Sequence, residues 1–245
     1  DFPERLGIQS DMTNRAMRLE ETYGADNSIT AGEFRDYKYD LRYSQNSAMM
    51  EIVNGILAID AGDDAELRKA QELLHDWDRR TDVASRRAAL AVLTAEPVIV
   101  AGIRGETPPD PADKLREAMS RLKTHFGRLD PEWGEVNRFR RGPVDLPVDG
   151  GPDILRAIYG SREEDGTLTA RAGDTLIMFV EWDRAGKLSS ESVHPFGSAT
   201  QDASSPHYAD QSPLFVGMRT KPVRFTREEL EGHVEESYRP GNRGD

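Results

Sequence analysis

The stretch SPHYADQSPLF (205–215) sets a histidine, a tyrosine and an aspartate between two prolines, just ahead of an apolar run. His207, Tyr208 and Asp210 have the chemistry of a metal site or an acid–base group. Their H-Y-x-D spacing, however, matches no common zinc pattern, and no second histidine or cysteine lies nearby. The same three side chains can satisfy backbone groups where a chain turns between prolines. They therefore predict a structural corner, with Tyr208 and Asp210 pairing buried backbone groups. In WGEVNRFRRG (133–142), Arg138, Arg140 and Arg141 would suit a phosphate, but Glu132, Glu135, Asp145 and Asp149 flank them and predict internal ion pairs. Asp60, Asp63 and Asp64 lack the D-x-[DN]-x-[DN]-G spacing of a calcium loop and read as a solvated approach to a helix. His75, His125, His194 and His233 are scattered singly, and nothing resembles a G-x-S-x-G elbow.

The composition narrows the classes further. A net charge of -12 disfavours nucleic acid and anionic membranes, since phosphates would be repelled over most of the surface. No run approaches the roughly 18 apolar residues that span a bilayer; the longest are TLIMFVEW (175–182) and PVIVAGI (97–103). The absence of cysteine excludes disulfides, thiolate zinc sites and a cysteine nucleophile. Hydrophobic residues, at 37%, suffice for a packed core in one large or two modest domains. The opening DFPERLGIQS has neither the basic start nor the apolar stretch of a signal peptide.

The elements that must position these residues divide near Asp130. Ser10 is expected to cap a helix running to about Tyr23, with Arg15 in its polar opening SDMTNR. Thr30 and Glu33 form a capping-box pair that predicts a helix through EFRDYKYDLRYSQNSAMMEIVNGI. Leu67, Ala70, Leu73, Leu74 and Trp77 share one helical stripe over 65–79. Further helices are expected at 83–94 and after the turn TPPDP (107–111), the latter with Leu115, Ala118, Met119, Leu122 and Phe126 on one face. Residues 133–153 are rich in Gly, Pro and charge and read as mostly loop. DTLIMFVEWD (174–183) and KLSSESVH (187–194) read as a hairpin, and PLFVGMRT (213–220) as a third strand. Thr226 with Glu229 opens a last helix that ends before Pro240. So small a sheet needs cover on both faces, and partner strands are expected outside the chain.

Five stretches, MTNRAMRLEE (12–21), FRDYKYDLRYSQNSA (34–48), HDWDRRTD (75–82), WGEVNRFRRG (133–142) and SPHYADQSPLF (205–215), occur in the order in which the penicillin amidase family carries them. The chain resembles the C-terminal part of that family's larger chain, and is most similar to the acyl-homoserine-lactone and aculeacin acylase branch. The resemblance implies an α+β fold, with a helical part over about 1–130 and a loop and strand part over about 131–245. The strands would belong to the αββα sandwich of N-terminal nucleophile hydrolases. It implies hydrolysis of linear amides, the acyl group coming from a penicillin, an acyl-homoserine lactone or a lipopeptide-like substrate. There a chain-terminal serine attacks, its own α-amine acting as base. Backbone and asparagine donors stabilise the oxyanion.

Asp1 is not such a nucleophile, and the oxyanion asparagine and most of the acyl pocket fall upstream in the family. The segment alone is therefore expected to be inactive and to require the acylase chain that carries the nucleophile. Arg15 fits the family's arginine close to the catalytic centre. No cofactor is implied within the chain; calcium occurs in some family members, with the stretch Asp1 to Glu4 the one place here where a ligand would fall. A periplasmic or secreted location follows from the same resemblance. The alternative is a freestanding, non-catalytic acidic module that binds a protein or ligand.

Overall fold

Most helices of this chain begin where a short oxygen-bearing side chain can close the first turn. Thr13 accepts from Ala16 N at the start of α1 (Asn14–Thr22), Ser47 from Met50 N at α3 (Ala48–Leu57), Asp64 from Glu66 and Leu67 N at α4 (Ala65–His75), and Asp110 from Ala112 N at α6 (Pro111–Phe126). Thr30 and Glu33 complete a reciprocal capping box at α2 (Ala31–Lys38). The computed structural model describes residues 4–7, 12–234, 236–237, 239 and 241. Ser10, the cap expected from the sequence, lies outside them, and the described helix opens three residues past it at Thr13.

The long helix expected after Thr30 is two helices. Between α2 and α3 the chain runs extended, with Tyr43 N bonded to Arg79 O, Thr81 N bonded to Leu41 O, and an isolated bridge between Arg42 and Arg80. Its short polar side chains compete with a helical ladder: Ser44 Oγ accepts from Asn46 N, and Ser47 Oγ donates to Ser44 O at 2.7 Å. The helix expected at 83–94 instead spans Ala88–Ile103, as α5, and passes through Pro97. Proline cannot donate to the carbonyl four residues back; Arg162 Nη2 approaches that oxygen, Leu93 O, at 3.4 Å. Residues 88–95 of α5 are buried, with α3, α4 and α6 packed about the helix. The stripes of α4 and α6 face this core, which also takes Trp133, Val136, Ile154 and Leu168.

Residues 133–153 are more ordered than their composition suggests. They form a turn of helix, α7 (Trp133–Val136), and an antiparallel hairpin of β1 (Asn137–Arg141) and β2 (Val144–Pro147), reversed at Gly142 with φ 54°. β3 (Ile158–Arg162) and β4 (Leu168–Gly173) complete a four-stranded sheet of order β2-β1-β4-β3, with β1 and β4 parallel. The hairpin β5 (Ile177–Trp182) and β6 (Leu188–Val193) forms as expected, in a second sheet of order β5-β6-β7. The third strand of that sheet is the two-residue β7 (Lys221–Pro222). The expected strand at 213–220 is a short helix, α8 (Ser212–Val216). Pro213 in its first turn has the fixed φ a helix start favours, and one helical turn buries Phe215 beside Phe139, Ile158 and Phe179 in a second core. The final capping box is present but opens only one turn, α9 (Arg227–Leu230). The α+β class holds, with seven described strands where the sequence marks out three.

A buried ionic cluster joins these parts. Arg156, with no side-chain exposure, reaches Asp174 at 3.2 Å and donates to Phe215 O at 2.6 Å. Lys38, at the end of α2, reaches the same carboxylate and Leu155 O, each at 2.8 Å. Desolvation lowers the pKa values of both cations. Asp174→Ala leaves two cations without their counter-charge and is expected to lower the unfolding free energy by about 3–5 kcal/mol in urea titrations. A loss below about 1 kcal/mol would show that the cluster is not holding the two sheets and α2 together.

Candidate functional site

Arg15 lies in the first turn of α1, where backbone N–H groups lack helical partners. The segment 148–153, buried but for Asp149 and Asp153, supplies one for Asn14. Asp153 Oδ2 accepts from Asn14 N at 2.8 Å and Asp153 Oδ1 from Arg15 Nε at 3.3 Å. The Asn14 side chain is buried: its Nδ2 donates to Asp153 O at 2.8 Å and its Oδ1 accepts from Ser44 N at 2.7 Å. The Arg15 guanidinium is about half exposed, and among the described residues its two Nη atoms have no partner. Behind it, Arg18 Nε reaches Asp40 at 2.7 Å and Arg18 also pairs with Glu21, which accepts from Ser44 Oγ. The result is a cation fixed through Nε with its outer fork uncommitted. Asn14 and Asp153 escaped the sequence reading; the only trace of them was a small polar residue beside Arg15 and an aspartate closing the Gly-Gly-Pro turn.

The corner at 205–215 holds together differently from expectation. His207 Nδ1 and Asp210 Oδ2 are 2.8 Å apart, and both side chains are exposed. Neither the Tyr208 hydroxyl nor the Asp210 carboxylate binds a buried backbone group among the described residues. The backbone is instead held by Arg141, whose Nε donates to Tyr208 O at 3.0 Å and Nη2 to Thr200 O at 2.8 Å. The guanidinium lies 4.0 Å from the centres of both the Phe196 and Tyr208 rings. Buried Ser212 donates to Pro195 O at 2.7 Å, and Gln211 N to Phe196 O at 3.0 Å. Gly197 lets the two segments of this corner touch: a Cβ there would meet His207 O at 1.8 Å.

The other arginines of 133–142 are paired within the fold. Arg138 and Arg140 both grip Asp145, at 2.8 and 3.2 Å, and Arg140 also reaches Asp165 at 2.9 Å. Hydrogen bonds from Thr167, reinforced by Arg140, lower the pKa of Asp165 to about 2. Of the other flanking acids, Glu135 pairs with Arg128 and Asp149 accepts from Val83 N. Asp64 caps α4 and Asp60 accepts from Gly62 N. No group of three or more His, Cys, Asp or Glu that could hold a metal occurs among the described residues. Residues 1–3 of the stretch Asp1 to Glu4 lie outside them. No serine or threonine hydroxyl among the described residues is hydrogen-bonded to a histidine ring. What the site offers is a positioned guanidinium able to hold a carbonyl, a carboxylate or an amide oxygen.

The corner makes a sharp comparison. Gly197→Ala is expected to destabilise the fold by more than about 3 kcal/mol, because main chain must move to admit one methyl. Asp210→Ala, which removes an exposed and screened pair, should cost less than about 1 kcal/mol. Thermal or urea unfolding of both variants checks the order, and a reversed order would return Asp210 to the role of corner-holder.

A family model for penicillin amidase matches residues 1–232. Among solved structures, the chain is similar to a thermostable penicillin G acylase from Alcaligenes faecalis, at 12% sequence identity and a TM-score of 0.48. That match covers 97% of this chain and 54% of the other, so that this chain spans about half the length of that relative. With 232 residues in one continuous match, the chain belongs to the penicillin amidase family.

Proposed function

We propose that this chain is part of an amidohydrolase that removes the acyl group from a linear amide, and that the attacking serine is supplied from outside these 245 residues. Penicillins, acyl-homoserine lactones and lipopeptide-like amides are the substrate classes considered, and the five ordered stretches are most similar to the acyl-homoserine-lactone and aculeacin acylase branch. The observation that carries the reading is the Arg15 guanidinium at the opening of α1, anchored through Nε and, among the described residues, without a partner at either Nη atom. In an amide hydrolysis such a group holds the oxyanion asparagine or the nucleophile's surroundings through directional hydrogen bonds. It stays out of the proton transfers, which fall to the serine and its α-amine.

The second sheet supports the need for a further segment. β5 is an edge strand, and Met178, Val180 and Trp182 alternate along its outward face, 48%, 43% and 65% exposed, with Leu176 ahead of them at 59%. An unpaired edge with an apolar face is a template for another strand. A strand of the nucleophile-bearing segment would pair its backbone there, and a layer of that segment packed on the face would cover these four side chains.

Two measurements test the proposal. The 245-residue chain by itself should not hydrolyse a chromogenic acyl anilide or an acyl-homoserine lactone, and turnover above the buffer rate would sink it. In the full-length acylase, Arg15→Lys should lower kcat about tenfold to a thousandfold, roughly 1.4–4 kcal/mol, because an ammonium lacks the planar fork. Single-turnover acylation, run on the fraction of precursor that a gel shows to be processed, reads this directly. Rates within about twofold of the parent would make Arg15 a surface cation.

A further inference from the structure

Asp153 has a backbone that suits glycine. Its φ of 55° lies in the left-handed region, where a side chain is strained by about 1 kcal/mol or more. The two residues before Pro152 are glycines, yet position 153 keeps a carboxylate. Every polar group of this residue has a partner: its N–H donates to the Tyr159 hydroxyl at 3.2 Å, its carbonyl accepts from Asn14 Nδ2, and its two carboxylate oxygens divide between Asn14 N and Arg15 Nε.

The division matters for geometry. One oxygen is fixed by the helix backbone at 2.8 Å, so the other is fixed in space and not free to follow Arg15. A guanidinium is planar, and a hydrogen bond at Nε orients its plane and directs the Nη–Nη edge away from the acceptor. Arg15 is half exposed with several rotatable bonds and would otherwise sample many rotamers. We infer that Asp153 is a positioning residue for the acylase reaction: it couples the Arg15 plane to the backbone of α1 and aims the free fork toward the reacting amide. The inference rests on the proposed role of Arg15.

The rival is that Asp153 only secures the start of α1. The test uses the full-length acylase carrying Asp153→Asn, Asp153→Gly, Arg15→Lys and the Asn/Lys double change. Asparagine keeps an acceptor for Asn14 N but loses the charged grip on Nε; glycine keeps the backbone conformation without strain. With an acyl anilide, Asp153→Asn is expected to lower kcat about tenfold and leave KM within about threefold. The double variant is expected to be no slower than Arg15→Lys alone, since the aspartate acts through that side chain. A helix anchor without a role in aiming would give effects that multiply in the double variant. It would also give a fall in melting temperature that Asp153→Gly shares and that tracks the activity. Either result overturns the inference, as does parental kcat in Asp153→Gly, the deciding variant should the asparagine form fail to fold. Parental turnover in Arg15→Lys would remove the role of Arg15 itself, and the inference with it. Slow Arg15→Lys beside a fast Asp153→Asn would leave the role of Arg15 standing and overturn only the role of Asp153.

Discussion

The arrangement of the second half of this chain depends on one cation taken out of water. Arg156 is fully buried, and removing a guanidinium from water is costly unless every gain around it is realised. Here the compensation comes from four directions: the carboxylate of Asp174 ahead of β5, the carbonyl of Phe215 in α8, the Phe215 ring 4.1 Å away, and Tyr39 at the end of α2. Lys38 shares Asp174 from the α2 side. These partners come from three places, the end of α2, the approach to β5 and α8, so the cluster assembles only when all three are in place. Among the described residues Arg156 Nε lacks a partner, and burial lowers the pKa of the guanidinium, so part of the desolvation cost is left uncompensated.

From Arg156 the constraint passes outward to the site. Arg156 N bonds Asp40 O, and its own carbonyl lies so close to Gly150 that a Cβ there would meet it at 2.5 Å; with φ at 106°, only glycine fits. Gly150 is held on both sides, its N–H on Thr81 O and its carbonyl by Trp133 Nε1 at 2.8 Å. Tyr43 then fixes Pro152 O at 2.6 Å, and burial raises the pKa of this phenol well above its usual value. By the time the chain reaches Asp153 there is little freedom left in it. A surface helix start is thus positioned by the interior, which is how an exposed side chain acquires a defined direction.

The sequence shows the parts of the fold whose causes are local. Thr30 with Glu33, Thr226 with Glu229, the stripes of α4 and α6 and the alternation of β5 are each set within one or two turns of chain, and each is present. The misreadings share a distant cause. The helix expected at 83–94 runs on past Pro97: residues 88–95 are fixed in the core before the proline, and Arg162 stands beside the Leu93 carbonyl that Pro97 cannot pair. PLFV has strand propensity, but Phe215 is needed under Arg156 and one helical turn delivers it. The glycines of 133–153 look like solvent-exposed loop, whereas Gly134, Gly150 and Gly151 are buried where main chains and side chains touch. Of the candidate site, the type and place of Arg15 could be read from the sequence. Its hold could not, because Asp153 is 138 residues away.

Three arginines of this chain differ in how far the fold uses up their donors. Arg156 has no exposure and spends its donors on a carboxylate and a carbonyl. Arg141 is sandwiched between two rings and bonds two carbonyls, so that it closes a corner and has little left to offer a ligand. Among the described residues Arg15 makes one side-chain bond, through the nitrogen nearest its own chain, and its half-exposed guanidinium keeps its other donors uncommitted. Charge does not distinguish the three, and neither does the local sequence, since Arg141 also sits among polar neighbours. The difference lies in how many donors remain after the fold has taken what it needs, and in whether the remainder is held still. Arg15 meets both conditions among the described residues, because the aspartate that holds it is itself immobilised by the helix it caps.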